Sequence, residues 1–364
     1  MAEGTSGYFL YLKRSLQALG HRVDLIFRDS FINFTGENSV VRAMLFPIFP
    51  ILILPIIFIK MLVIKYDAVV ISSGDGFLFG LWKKIFFRKK PLFIMLSHGL
   101  EHLLWKQLTY EKKIDAATRI GLKQAFFMSF VRLLEVDASL LLSDSIFIVS
   151  EKEKRHLGGK RFLKHKVNVL YPGIDDIFLT QKNITRDREL LFVGNWVPLK
   201  GVQYLVKIFL ELLNKFNTLS LTVIGANVKE EYVLQDFPEY SRKFVRIVPT
   251  MSQQGLSKEY LRHRIFLFPS LYEGFSRVAM EAMASKMAVC VTESLGISEI
   301  IQHGLNGFLA PARDVLRFTE LVSKLLDDEK LCDFLGENAF NTVKEMDWRR
   351  TADIFINSII KTKK

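Results

Sequence analysis

PSLYEGFSRVAMEAMA runs from Pro269 to Ala284 and carries the densest pattern in the chain. The apolar run Ile265–Phe268 ahead of it reads as a buried strand, and a helix starts near Phe275 or Ser276. Between them lies a loop with Glu273 at its edge and Gly274 at the turn. Glu281 follows eight residues after Glu273, about two turns into the helix. The backbone amides of Phe275, Ser276 and Arg277 open that helix. They lack intrahelical partners and sit at the positive end of its dipole, which suits a diphosphate. A carboxylate at Glu281 can accept hydrogen bonds from vicinal ribose hydroxyls, and Glu273 can reach a group attached beyond the phosphates. Two glutamates on a solvated helix face are the plain alternative, and the frame E-G-F-x₅-E-A speaks against it.

Working outward, the same alternation of strand, loop and helix repeats. Strands are expected at Glu189–Val193, Ser220–Ile224, Val245–Val248 and Ala288–Val291, with helices near 201–215, 253–262, 276–285, 296–302, 315–326 and 329–344. Upstream, Arg22–Phe27, Asp67–Ser72, Leu92–Leu96, Ser145–Ser150 and Val167–Leu170 read as strands. Tyr8–Leu19 reads as a helix, and a long helical stretch begins near Asp115. The fold class is therefore α/β, with two Rossmann-like doubly wound domains whose ligand crevices lie at the strand C-terminal ends. The divisions are 1–172, 173–345 and a C-terminal helix at 346–364 that packs back on the first domain, with Tyr171–Asp176 as the linker. A doubly wound domain opens on its central strand, then a glycine turn, then a helix. Here the turn Glu3-Gly4-Thr5-Ser6-Gly7 comes first, so the first domain lacks its N-terminal strand and an incomplete chain is expected.

The E-x₇-E frame of Glu273 and Glu281 resembles that of the family 4 retaining glycosyltransferases, of GT-B fold, also described as glycosyl transferases group 1. The resemblance covers almost the whole chain and is strongest after Tyr171. It implies a nucleotide-sugar donor, with Glu273 on the sugar hydroxyls and Glu281 on the ribose. Gly194-Asn195-Trp196-Val197-Pro198-Leu199-Lys200-Gly201 resembles the family's phosphate loop, which makes Lys200 the cation for the departing diphosphate. Asn195 stands where many members carry an arginine. Ser97-His98-Gly99 follows a strand as the family's histidine does, and Gly4 and Gly7 resemble its glycine loop. The expected catalytic residues are thus His98, Lys200 and Glu273. Donor contacts fall to Gly4, Gly7, Gly194, Asn195, Lys200, Gly274, Phe275, Ser276, Arg277 and Glu281. The implied reaction is metal-independent sugar transfer with retention, needs no cofactor, and uses a glycan or lipid-linked acceptor of cell-surface polysaccharide or glycolipid synthesis. An inactive GT-B relative that binds membranes, or a GT-B epimerase or phosphorylase, are the alternatives.

Other motifs weigh less. Gly74-Asp75-Gly76-Phe77-Leu78-Phe79-Gly80 falls one residue out of the dinucleotide-binding spacing, and no D-x-D occurs. Cys290 and Cys332 form neither a disulfide framework nor a metal-ligand spacing. The net charge of +12 is uneven: residues 1–172 hold 25 Lys and Arg against 14 Asp and Glu, and residues 173–364 hold 25 against 24. No nucleic-acid-binding motif accompanies this surplus. Leu81–Lys90 interleaves basic and aromatic residues, and Arg119–Leu134 is a basic stretch with Phe126, Phe127, Phe130, Leu133 and Leu134 on offer to one side. An anionic membrane surface is the expected partner, with the protein cytoplasmic and peripheral on the inner face of the cell membrane. The uncharged run Ala43–Ile59 touches the lower limit of a membrane span, but Pro47, Pro50 and Pro55 interrupt a regular helix and make a simple span awkward, so a buried helix or a segment lying in the interface is expected.

Overall fold

The computed structural model describes residues 5–27, 39–86, 90–114, 121–159, 163, 165–180, 186–294 and 296–363. They form two compact units. One holds the residues up to Tyr171 together with Thr351 onward, and the other holds Pro172–Arg350.

The first unit carries four parallel strands, β1 (Ala68–Ser72), β2 (Leu92–Leu96), β3 (Ser145–Ile148) and β4 (Val167–Val169), in the order β1-β2-β3-β4. Every residue of β2 and β3 is buried, as expected of short apolar runs in a sheet covered on both faces. The helix Trp348–Lys363 reaches this unit through Phe355, whose ring centre lies 4.8 Å from that of Phe147.

Four expectations need correction here. No strand forms at Arg22–Phe27, which runs on without ladder bonds. The Gly7 turn is instead the start of the helix Thr5–Ala18, and Gly4 lies outside the described residues. Helical structure begins at Glu101–Ile114, well before Asp115, and resumes over Leu122–Leu142 with a π-turn at Met128–Arg132. Finally, Ser39–Val63 is one helix in spite of its three prolines. Each proline costs a backbone bond and crowds the preceding turn. The buried stripe Phe49, Ile53 and Ile57 packs on Ile71, Phe79 and Phe93, which offsets that cost. Among the described residues no helix is long and apolar enough to cross a membrane.

The second unit carries six parallel strands: β5 (Arg188–Val193), β6 (Leu221–Ile224), β7 (Val245–Val248), β8 (His263–Phe268), β9 (Ala288–Thr292) and β10 (Phe308–Ala310). Their order is β10-β9-β8-β5-β6-β7. The sheet runs one way from β5 to β7 and the other way from β8 to β10, so the order reverses between the adjacent strands β5 and β8. The linker is tied down as well. Ile174 N–H donates to the Met346 carbonyl at 2.7 Å, and a Cβ on Gly173 would meet the Trp348 backbone at 2.5 Å. Cys290 and Cys332 are free and buried, and burial pushes both thiols up.

Candidate active site

In a doubly wound sheet the crevice opens at the strand C-terminal ends where the order reverses, which here means the loops after β5 and β8. The β5 loop ends in a 3₁₀ turn, Pro198–Lys200, and passes through Gly201 at φ 71° into the helix Val202–Lys215. A Cβ on Gly201 would come within 2.0 Å of the Pro269 carbonyl oxygen, so glycine is what lets the two loops close. Across that contact Leu271 N–H and the Ser270 hydroxyl both donate to the Leu199 carbonyl, at 2.9 and 3.2 Å. The stitching sets Lys200 opposite Glu273. The ammonium donates to Glu273 Oε1 and lies 5.6 Å from the centre of the Phe268 ring.

The β8 loop then enters the helix Arg277–Ala284. Ser276 caps it, its hydroxyl accepting from the Ala279 amide at 3.3 Å. Arg277 and Val278, which precede Ala279, are the residues whose amides the helix itself leaves open. Glu281 is buried beside them. The Tyr260 hydroxyl lies 3.2 Å from Glu281 Oε2 and 3.1 Å from the Val278 carbonyl oxygen, and the Arg277 guanidinium is 3.6 Å from Glu281 Oε1. Burial pushes the Glu281 carboxyl above its ordinary value, against the pull of Arg277 and the Tyr260 hydroxyl, and Asp175 adds to the rise. Burial, and then Glu281 itself, raise the Tyr260 phenol further. Sequence reasoning missed Tyr260, which sits 21 residues away on another helix.

The structure brings Lys200 and Glu273 together on two neighbouring loops and sets Arg277 and Glu281 on the helix that follows, with Gly274, Phe275 and the capping Ser276 between. Asn195 turns to a different neighbour. Its Oδ1 accepts from Asn227 Nδ2 at 2.7 Å, and Asn227 Oδ1 accepts from the Thr250 hydroxyl at 2.9 Å. Asn195 thus links the loops after β5, β6 and β7, and the Gly194 amide donates to the Ile224 carbonyl at 3.0 Å.

In the first unit His98 follows β2, as expected of a residue at a strand C-terminal end. Its ring centre stands 4.6 Å from that of Tyr8 and 5.1 Å from that of Phe9, on the helix that contains Gly7. The same unit holds a cluster that the sequence did not announce. Arg132, 6% exposed, pairs with Asp75 at 2.7 Å, Glu101 at 3.0 Å and Glu135 at 3.3 Å, and the Ser73 hydroxyl donates to Glu101. Burial pulls the guanidinium down, but Asp75 and Glu101 outweigh it and hold its pKa above the ordinary value. The one sequence signal was a single arginine set among apolar residues. The glycines of the Gly74–Gly80 motif serve packing: a Cβ at Gly76 or Gly80 would meet the Phe93 ring at 2.5 and 2.8 Å. Among the described residues no group of three or more His, Cys, Asp or Glu is arranged to hold a metal ion.

Residues 2–177 match the model of Glycosyltransferase Family 4, and residues 175–342 match that of Glycosyl transferases group 1. An uncharacterised glycosyltransferase of Methanocaldococcus jannaschii is 28% identical over 209 residues, 57% of this chain and 57% of that protein. The capsular polysaccharide biosynthesis glycosyltransferase CapM of Staphylococcus aureus is 25% identical over 233 residues, 60% and 61% of the two chains. The matched stretch therefore spans a little over half the length of such curated relatives. A glycosyltransferase structure from Rickettsia africae superposes with a TM-score of 0.65 at 16% identity, covering 98% of this chain and 94% of that one. Anabaena HepE, solved in complex with UDP and glucose, gives 0.63 at 13% identity, covering 81% and 78%. With two family models meeting end to end over residues 2–342 and two parallel α/β units in the GT-B manner, the chain belongs to the group 1, family 4 glycosyltransferases.

Proposed function

We propose that the chain transfers a sugar from a nucleotide-sugar donor to a glycan or lipid-linked acceptor, with retention of configuration and without a metal. The observation that carries this reading is the Lys200–Glu273 ion pair at the C-terminal ends of β5 and β8, set beside the capped helix that bears Glu281. A diphosphate entering the crevice offers Lys200 a stronger partner than Glu273. The ammonium swings to the phosphate, and the released carboxylate accepts from the sugar hydroxyls. The open amides at the start of the helix Arg277–Ala284 take a phosphate oxygen, and Glu281, steadied by Tyr260 and Arg277, accepts from the ribose.

The reaction then needs no protein nucleophile. The bond from the anomeric carbon to the phosphate oxygen breaks, and the acceptor oxygen bonds to the same carbon on the same face. The acceptor's proton passes to the leaving diphosphate. Lys200 and the helix dipole stabilise the charge that builds on that leaving group. In the first unit the same proposal assigns substrate contact to His98. HepE, a protein of the same fold solved with UDP and glucose, supports a uridine nucleotide as the first donor to test. CapM supports a polysaccharide acceptor.

The first unit is also proposed to sit on an anionic bilayer. Leu122, Phe126, Phe130 and Leu134 recur every four residues and are 88%, 64%, 63% and 63% exposed. The π-turn at Met128–Arg132 takes in an extra residue, which helps keep that spacing on one face. Such a stripe in the half that holds nearly all the excess positive charge suits a negatively charged interface.

The experiment is a thermal-shift titration of the purified chain with UDP-, GDP- and ADP-sugars. A selective upward shift with one nucleotide, lost in Glu281→Ala, supports the reading; no shift with any donor overturns it. Transfer that persists in EDTA is the expected result for the metal-free mechanism, and loss of transfer would count against that part.

A further inference from the structure

Arg186 lies just ahead of β5, at the strand N-terminal ends of the second sheet and so at the opposite end from the crevice. Its backbone is left-handed, at φ 46°, a strained state that persists where the surroundings fix it. Those surroundings are the ends of two helices. One terminal nitrogen of its guanidinium donates to the carbonyls of Tyr260, at 3.0 Å, and His263. The other donates to those of Ser285 and Lys286, at 2.8 and 2.6 Å. Tyr260 and His263 close the helix Gln253–Arg262, and Ser285 and Lys286 close the helix Arg277–Ala284. The last carbonyls of a helix lack partners within it and form its negative end, so one cation serves both helices. Burial pushes the guanidinium down to about 10, and Asp333 pulls the other way.

The two helices tied in this way are those that surround Glu281. Tyr260 is bonded at both ends, its carbonyl by Arg186 and its hydroxyl at 3.2 Å from Glu281 Oε2. With that oxygen occupied the carboxylate keeps one orientation, and Oε1 is left 3.6 Å from the Arg277 guanidinium. The far end of the Glu281 helix has a seat of its own. A Cβ on Gly336 would come within 2.2 Å of the Lys286 carbonyl oxygen, and the Lys286 ammonium donates to Glu337 at 2.6 Å. That seat holds the helix Arg277–Ala284 against the helix Glu329–Val343, whereas Arg186 bonds it to the helix of Tyr260.

We propose that Arg186 is a positioning residue of the candidate donor site. By bonding the C-terminal ends of both helices it fixes Tyr260 against Glu281, and with it the direction in which Glu281 meets the donor ribose. The ribose contact rests on the donor-site reading; the tie between the helices does not. A planar guanidinium suits this task, because it offers two donor-bearing nitrogens at a fixed spacing, which an ammonium lacks. Arg186 acts on the ligand through Tyr260 and Glu281.

The test is the affinity of the full chain for UDP, or for GDP or ADP where the wild-type chain prefers it, by titration calorimetry. Residue-resolved hydrogen exchange without nucleotide accompanies it. Arg186→Met should weaken binding about tenfold, and in a Tyr260→Phe background the same substitution should change it by about twofold or less. Phe209→Leu, a core change in the helix Val202–Lys215, should lower Tm and leave affinity unaltered. Without nucleotide, the amides of Met280–Ala284 should exchange about tenfold faster in Arg186→Met than in Phe209→Leu. If Arg186→Met does not fold, Arg186→Lys, which keeps the charge but cannot hold both pairs of carbonyls, should show the same pattern with smaller losses. Wild-type affinity in the Arg186 variants, an equal loss in Phe209→Leu, or a full loss in the Tyr260→Phe background overturns the proposal. Each would make Arg186 a general stabiliser of the unit. A wild-type chain that binds none of the three nucleotides removes the donor reading instead; exchange then decides the tie, and unchanged exchange overturns it.

Discussion

The two units are built from the same kind of parallel sheet, yet they differ at the place where such sheets do chemistry. In the second unit the strand order reverses between β5 and β8. The two loops at that point touch through Gly201 and Pro269, and Lys200, Glu273 and Glu281 are held by neighbours. In the first unit the order runs straight, and its outer strand β1 borders an apolar groove. Its charged groups gather instead around the buried Arg132. The difference teaches that a reversal in strand order, more than the sheet itself, creates the crevice. Where neighbouring loops diverge from two paired strands, backbone ends and side chains converge on one point. In the first unit the segments after β1 and β2 instead bring Asp75 and Glu101 onto a buried arginine, which closes the space between them with an ion-pair cluster.

The largest effect should come from breaking the charge cluster of the first unit. Arg132→Met leaves Asp75, Glu101 and Glu135 buried near one another without their cation, and should cost about 3–5 kcal/mol of stability. Chemical denaturation measures this. The deficit should shrink as pH falls and Glu135, whose carboxyl burial already holds above its ordinary value, takes up its proton, whereas a deficit unchanged by pH would mean that lost packing, rather than charge, is the cause.

Next comes the second unit's own cation. Lys200→Ala should lower turnover about 10²–10³-fold, as removal of a charge-stabilising group does, and Tm should move little, because the Lys200–Glu273 pair is partly exposed. Wild-type turnover in that variant would remove Lys200 from the mechanism.

A smaller contrast tests the glycines. Gly201→Ala meets the Pro269 carbonyl and adopts a left-handed backbone, whereas Gly20→Ala, at φ 87°, has nothing within 4 Å. The second should cost about 1 kcal/mol from backbone strain alone, and the first clearly more, together with loss of donor binding. Equal losses of Tm would show that the loop contact is not close.

The smallest effect is a slope with pH. The Glu281 carboxyl holds its proton to a higher pH in the folded chain than the ordinary value of 4.5. Its contribution to stability is therefore fullest below that value and is lost as pH rises through the folded pKa. Glu281→Gln should flatten this part of the stability profile, and an unchanged slope would assign it to another group.

Much of the second unit was legible because its signals are local. β7 and the helix at 253–262 fall where periodicity put them, and the Glu273–Glu281 frame lies on one loop and one helix. The short strand β10 escaped notice, since three residues carry no period. In the first unit the stretch 22–27 has the composition of a strand, but ladder bonds depend on a neighbour that composition does not supply. The helix expected as one reading of the proline-bearing run forms without the interruption that the prolines suggested, because packing of Phe49, Ile53 and Ile57 outweighed a local rule.

By itself the sequence determined the α/β class, the family resemblance, the uneven charge and the loop that bears Glu273 beside its helix. All of these are written within a few turns of chain or in composition. Only the tertiary structure decided that Lys200 faces Glu273, that Tyr260 steadies Glu281, that Arg132 gathers three carboxylates, and that β1 is the outer strand of the first sheet among the described residues. Each of these depends on residues tens of positions apart, or on which strands lie side by side, and strand order follows from the packing of the whole sheet rather than from any one segment.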